Sequence, residues 1–187
     1  MTAEKPATRS PLEQLDSGLD YRLVLLVAPA GAGKTCLLRR WAALYPPAYH
    51  LPLAWLSLEA ADNLPQRFLD DLLQALAPIL NAGISGLGSL TWRVQTLEID
   101  LETAIIDLIN ALDGFAHDFI LVLDNYHVIN AMPVHSAVRL LLDYLPPHAH
   151  LIIASRSEPP LQIPRLRVRR QLLEIGLPGE KAWDETE

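Results

Sequence analysis

Five short apolar runs punctuate the chain: Leu23–Val27, Ala54–Leu58, Phe119–Leu123, Leu151–Ala154 and Gln171–Ile175. They lack the strict alternation of a half-exposed strand, as expected for strands buried on both faces. Between them, apolar residues recur at three-and-four spacing. Phe68, Leu69, Leu72, Leu73, Leu76, Ile79 and Leu80 form one such face, behind an Asp62-Asn63 cap signal and with Pro65 in the first turn. Ala104, Ile105, Leu108, Ile109 and Leu112 form a second. Val134, Ala137, Val138, Leu141, Leu142 and Leu145 form a third, which ends at Pro146-Pro147 because proline cannot continue a helix. Residues 81–96 are Gly/Ser-rich without a period and read as a connection. This rhythm of strand and helix predicts an α/β fold, a parallel sheet covered by helices on both sides. The expected organisation is a leading segment over 1–20, a core over 21–176 and a polar tail over 177–187.

Composition narrows the classes. With 187 residues, half of them apolar and a fifth charged, the chain has the make-up of one folded domain and not of a disordered linker. The single Cys36 excludes an intramolecular disulfide and any zinc site built on several thiolates. A net charge of −7 argues against broad electrostatic binding of nucleic acid by this chain. The first ten residues are polar and form no secretory signal. The uncharged stretches 41–58 and 72–92 are interrupted by prolines or glycines, so neither reads as a membrane span. The expected location is the cytoplasm, with no membrane partner.

Chemistry enters at Ala28-Pro29-Ala30-Gly31-Ala32-Gly33-Lys34-Thr35, between the first strand and the helical run Cys36–Leu44. A polyphosphate has to approach backbone amides closely, and Gly31 and Gly33 keep Cβ atoms out of its way. Lys34 supplies positive charge to the β/γ oxygens, and the Thr35 hydroxyl is an oxygen ligand for Mg²⁺. Ala28 stands where such loops usually carry their first glycine. The candidate nucleotide contacts are therefore Ala30, Gly31, Ala32, Gly33, Lys34, Thr35 and, one residue into the helix, Cys36.

Two further strand ends carry polar groups to the same edge. Phe119–Leu123 runs into Asp124-Asn125, the form of a Walker B strand, which puts the Asp124 carboxylate beside a phosphate-bound Mg²⁺. Asn125 stands where many ATPases with an inserted strand between the Walker strands carry a second acid, and an amide cannot act as a general base. Slow hydrolysis of Mg-ATP is the expectation. Leu151–Ala154 leads into Ser155-Arg156, and Arg156 is a candidate contact to the γ-phosphate that tells ATP from ADP. Lys34, Asp124, Asn125 and Arg156 thus form the candidate catalytic set. His127 reads as a packing or supporting residue, and the six histidines show no metal-ligand spacing.

The words L-V-A-P-A-G-A-G-K-T (26–35), W-L-S-L-E-A-A-D-N-L-P-Q-R-F-L (55–69), L-V-L-D-N-Y-H-V-I (121–129) and L-P-P-H-A-H-L-I-I-A-S-R-S-E-P-P-L (145–161) resemble the STAND class of signal-transducing P-loop ATPases. Within it, the chain is most similar to the large ATP-binding regulators of the LuxR/MalT type, over about Arg9 to Ile175. The resemblance implies a three-layer P-loop fold with sheet order 5-1-4-3-2. It implies ATP/ADP and Mg²⁺ as cofactors, bound at the C-terminal edge of the sheet. It further implies a switch that ADP holds closed, and that ATP with an inducer opens to self-association or to contact with downstream regulator modules. Under it Asp124 binds Mg²⁺, Arg156 is the sensor arginine, and Arg9 and Leu12 precede the first strand near the base. Ala28 is an accepted variant of the loop; Asn125 departs from the usual second Asp. The winged-helix, repeat and DNA-binding modules of such regulators find no counterpart in these residues.

Two other readings are open. A small-molecule P-loop kinase would need an Arg-rich lid, for which Arg165, Arg167, Arg169 and Arg170 are the candidates. An interaction module with a vestigial nucleotide site would need no chemistry at all. The alternation of Arg165, Arg167 and Arg169 predicts one exposed face of an edge strand.

Overall fold

The computed structural model describes residues 10–44, 51–83 and 100–177, without the side chains of 81–83. Five parallel strands form one sheet: β1 (Leu23–Val27), β2 (Leu53–Ser57), β3 (Phe119–Asp124), β4 (Ala149–Ser155) and β5 (Leu172–Gly176). Their spatial order is β2-β3-β4-β1-β5, the expected 5-1-4-3-2 read from the opposite edge. All four pairings are parallel, and the register sets Ser57 beside Asp124 and Val27 beside Ser155. The chain ends of the central strands therefore gather at one edge of the sheet.

The helices are α1 (Pro11–Ser17), α2 (Lys34–Leu44), α3 (Pro65–Gly83), α4 (Leu101–Asp113), α5 (Met132–Tyr144) and α6 (Ile163–Val168). Successive strand residues point to opposite faces, and this splits the core in two. Leu121, Leu123, Leu151 and Ile153 pack under α3, α4, α5 and α6. Ile120, Val122, Ile152 and Ala154 pack under α1 and α2, with Leu15, Leu38 and Trp41 fully buried. At about 2 kcal/mol for a fully buried leucine, these two layers hold the strand ends in place.

Local chemistry fixes the element ends. Ser10 and Glu13 form a capping box that opens α1. Asp100 accepts the Thr103 amide at 2.9 Å to open α4. Gly18 is required where the chain turns into β1, because a Cβ there would lie 2.5 Å from Val24 Cγ2. Pro78 sits inside α3 on its exposed side, where the carbonyl it leaves unpaired can meet water.

The arginine-rich segment differs from the expected edge strand. Residues 163–168 are helical, and Arg169 and Arg170 form the turn before β5. Ile163 and Leu166, three residues apart, are the buried pair, and Pro164 suits the first turn. The alternating arginines belong to a helix flanked by Gln162 and Arg170 in left-handed conformation. Similarly, α3 continues to Gly83, three residues into the segment read as a connection, while residues 84–96 lie outside the described residues.

Candidate nucleotide site

The loop between β1 and α2 is shaped by its backbone. Gly31 and Gly33 have φ of 79° and 80°, values that L side chains rarely adopt. Ala28 is not among the residues with positive φ, so a glycine is not required at this first position. Its amide donates to the Ser155 carbonyl at 3.2 Å, which ties the loop to β4. The Leu37 amide donates to the Gly33 carbonyl at 2.8 Å, and the helix runs from Lys34, two residues before the expected start.

Lys34 is buried at 8% exposure, with Nζ donating to the carbonyls of Ala28 at 2.6 Å and Pro29 at 2.8 Å. Burial, then the charge of Arg156, hold its pKa below the usual lysine range, while Asp124 opposes them. Two cations close enough for one to disturb the other favour a polyanion between them, whose charge removes their repulsion.

Asp124, at 1% exposure, closes β3. Its Oδ2 accepts the Thr35 hydroxyl at 2.8 Å, and its Oδ1 accepts the Asn125 amide at 2.8 Å. The predicted pair Thr35 and Asp124 is thus brought together across 89 residues of sequence. Asn125 follows in left-handed conformation, φ 60°, a geometry that asparagine tolerates better than most residues. Ala30 and Gly31 are exposed on the loop, Ala32 is buried beneath it, and Cys36 is exposed in the first turn of α2. Arg156 is exposed just past the end of β4, and its field reaches Lys34 and His127. Arg9 lies outside the described residues; Leu12 packs partly against the α1–α2 core.

His127 stands closer to this chemistry than its sequence suggested. It sits in the one-turn 3-10 helix Tyr126–Val128. Its pKa is lowered by burial first, then by Arg156 and Lys34, with Asp124 opposing. Its Nδ1 is buried without a hydrogen-bond partner. The turn is braced by Tyr126, whose hydroxyl lies 2.9 Å from His135 Nδ1 on α5. Asn63, read as part of a helix cap, instead reaches this segment: α3 starts at Pro65, and the Asn63 amide bonds Val128, Asn130 and Ala131. Asp62 turns inward and accepts the Glu59 amide at 2.7 Å. This role is not legible in the local sequence, since Val128, Asn130 and Ala131 lie more than sixty residues away.

The donor set fits a magnesium nucleotide. A hydroxyl and a carboxylate 2.8 Å apart are the hard oxygen ligands that Mg²⁺ takes, beside a buried lysine on a loop with two left-handed glycines. Among the described residues, no cluster of three or more His, Cys, Asp or Glu side chains suits a metal held by protein alone.

Comparison with known proteins points the same way. No family model matches the chain. It is 36% identical over 165 residues to the HTH-type transcriptional regulator MalT of Cronobacter sakazakii, covering 88% of this chain and 18% of that protein. Against MalT of Serratia proteamaculans the identity is 38%, with the same coverage of both. The chain thus spans less than a fifth of the length of these relatives. Among solved structures, it is similar to a STAND protein with a tetratricopeptide repeat sensor from Pyrococcus horikoshii, at TM-score 0.57 and 19% identity over 91% of this chain and 23% of that one. It also resembles Cdc6p of Pyrobaculum aerophilum, at TM-score 0.58 and 16% identity over 92% of this chain and 47% of that one. At these identities the structural likeness shows the fold.

Proposed function

Because the chain is a MalT-like P-loop ATPase domain of the STAND class, we propose that it works as an ATP/ADP-dependent switch, with slow hydrolysis as its reset. The observation that carries this reading is the Thr35–Asp124 hydrogen bond beside buried Lys34. It joins the loop after β1 to the end of β3 in the arrangement a magnesium-bound polyphosphate needs. When bound, Mg²⁺ would neutralise negative charge on the phosphates.

The chain's own residues divide the work. The loop 28–35 receives the phosphates, and Lys34 exchanges its two loop carbonyls for phosphate oxygens. Thr35 and Asp124 hold the metal. Arg156, exposed at the end of β4 and within electrostatic reach of Lys34, reads the terminal phosphate. Asn125 orients water through its carbonyl but cannot remove a proton from it. Binding is therefore efficient and turnover slow.

As in the regulators it resembles, the switch would act in the cytoplasm. Its outputs would be self-association on ATP binding or contact with regulator modules, with no direct nucleic-acid contact by this chain. Among the described residues, no helix is long and apolar enough to cross a membrane. Two of the four arginines that a kinase lid would need are paired at the surface, Arg167 with Glu174 and Glu158 and Arg165 with Asp143. Steady-state ADP release measured with and without nucleoside or sugar acceptors tests the proposal. It predicts acceptor-independent turnover well below about 1 per second. Faster turnover that Lys34→Ala abolishes, or release that depends on an acceptor, would contradict it.

A further inference from the structure

Asn63 engages both ends of its side-chain amide. Nδ2 donates to the carbonyls of Ala60 at 3.1 Å and Val128 at 2.9 Å. Oδ1 accepts the amides of Asn130 at 2.7 Å and Ala131 at 2.9 Å. Three of these four bonds therefore clasp one short stretch, 128–131, that follows β3. That stretch is in turn bonded back towards the nucleotide site: the Val128 amide donates to the Asn125 carbonyl at 3.1 Å, and the Ile129 amide to the Tyr126 carbonyl at 3.1 Å. The Leu58 amide donates to the Asp124 carbonyl at 3.0 Å and secures the same loop from its other end. The segment between β2 and α3 and the turn after β3 are thus one hydrogen-bonded unit.

We propose that Asn63 is a positioning residue for the γ-phosphate end of the site, holding the turn that carries Asn125 and His127 against Lys34, Asp124 and Arg156. This rests on the nucleotide reading above. The physical argument is one of division. The loop after β1 is shaped by its own glycines and fastened to β4 through Ala28, so it receives the phosphates common to ATP and ADP without help from Asn63. The turn 125–131 has the two backbone bonds from Val128 and Ile129 but no glycine-shaped frame of that kind. Asn125 is left-handed, and the turn Tyr126–Val128 is too short to hold itself. What fixes it from the β2 side is Asn63. Releasing this clasp would blur contacts made to the terminal phosphate and its water, and leave those to the inner phosphates.

The test uses the full chain, titrated calorimetrically with MgATP and MgADP, and two variants followed in parallel by thermal melting. Asn63→Ala removes all four bonds and is expected to lower ATP affinity about tenfold relative to ADP. Asn63→Asp keeps acceptors for the amides of Asn130 and Ala131 but loses both donors, so an intermediate loss of about threefold is expected. A merely structural clasp would lower the melting temperature and leave the ATP-to-ADP ratio unchanged. That result in either folded variant overturns the proposal, and Asn63→Asp decides it if Asn63→Ala does not fold. If the unmodified chain binds neither nucleotide, the site reading itself falls and takes this proposal with it. If it binds both and the variants keep the ratio, only the role of Asn63 falls.

Discussion

The loop after β1 and the turn after β3 meet at the same sheet edge, yet they are held by different means. The first is a backbone construction: two glycines at φ 79° and 80°, an amide of Ala28 on the Ser155 carbonyl, and a helix that starts at Lys34. The second is fastened by side chains from elsewhere, Asn63 on one flank and His135 on the other. A backbone frame tolerates change at most of its positions, as Ala28 illustrates. A side-chain frame concentrates its stability in a few distant residues, and it can loosen without the phosphate loop moving.

This contrast can be tested at points of decreasing expected effect. Asp124→Asn keeps the shape of the junction between the two regions but removes the carboxylate charge proposed to bind the metal. It should reduce the gain in ATP affinity on adding Mg²⁺ by at least about tenfold, equivalent to ~1.4 kcal/mol, in calorimetry with and without the ion. Tyr126→Phe removes the hydroxyl that His135 Nδ1 meets at 2.9 Å and leaves a buried polar atom unpaired. Denaturant melts should show a loss of about 1–2 kcal/mol. Gly31→Ala meets no steric obstacle, since nothing lies within 4 Å of the added Cβ. Its cost of about 1 kcal/mol should come from the left-handed backbone alone. A wild-type melting curve from this variant would break the account of the loop.

Acid should separate the two regions further. The pKa values of His127, His135 and His150 are all held below the usual 6.5 of histidine, chiefly by burial. The folded state favours their neutral forms, so the unfolded chain binds more protons once pH drops below about 6.5. Stability should be level above that value and decline as pH falls through the lowered pKa values. Two of the three histidines belong to the turn after β3 or brace it, and the phosphate loop contains none. Protection against hydrogen exchange, relative to the intrinsic rate at each pH, should therefore fall on acidification at 125–131 before 28–35. The smallest effect is expected at Arg167→Ala. Its bonds to Glu158 and Glu174 are exposed, so the melting temperature should hardly move.

The same division explains what could be read from the sequence. The loop residues Gly31, Gly33, Lys34 and Thr35 lie together in the chain, and the apolar runs carrying Asp124 and Arg156 are contiguous. Local pattern therefore located them, while the sheet order that unites them was implied only by the resemblance to P-loop ATPases. Asn63 and His135 were illegible in their roles because their partners lie elsewhere in the chain, and an Asp-Asn pair before Pro65 reads equally well as a helix cap. The arginines at 165, 167 and 169 misled for a related reason. Period two is a strand signal only when the intervening apolar residues are buried, and here Val168 is exposed while Ile163 and Leu166 carry the buried face of a helix.

Calorimetric titration of the full chain with MgATP, beside Lys34→Ala, tests the central claim most directly. The account predicts saturable binding of one nucleotide per chain, weakened at least about a hundredfold in the variant, with both proteins melting as folded domains. No binding by the unmodified chain, or equal binding by the variant, would contradict it.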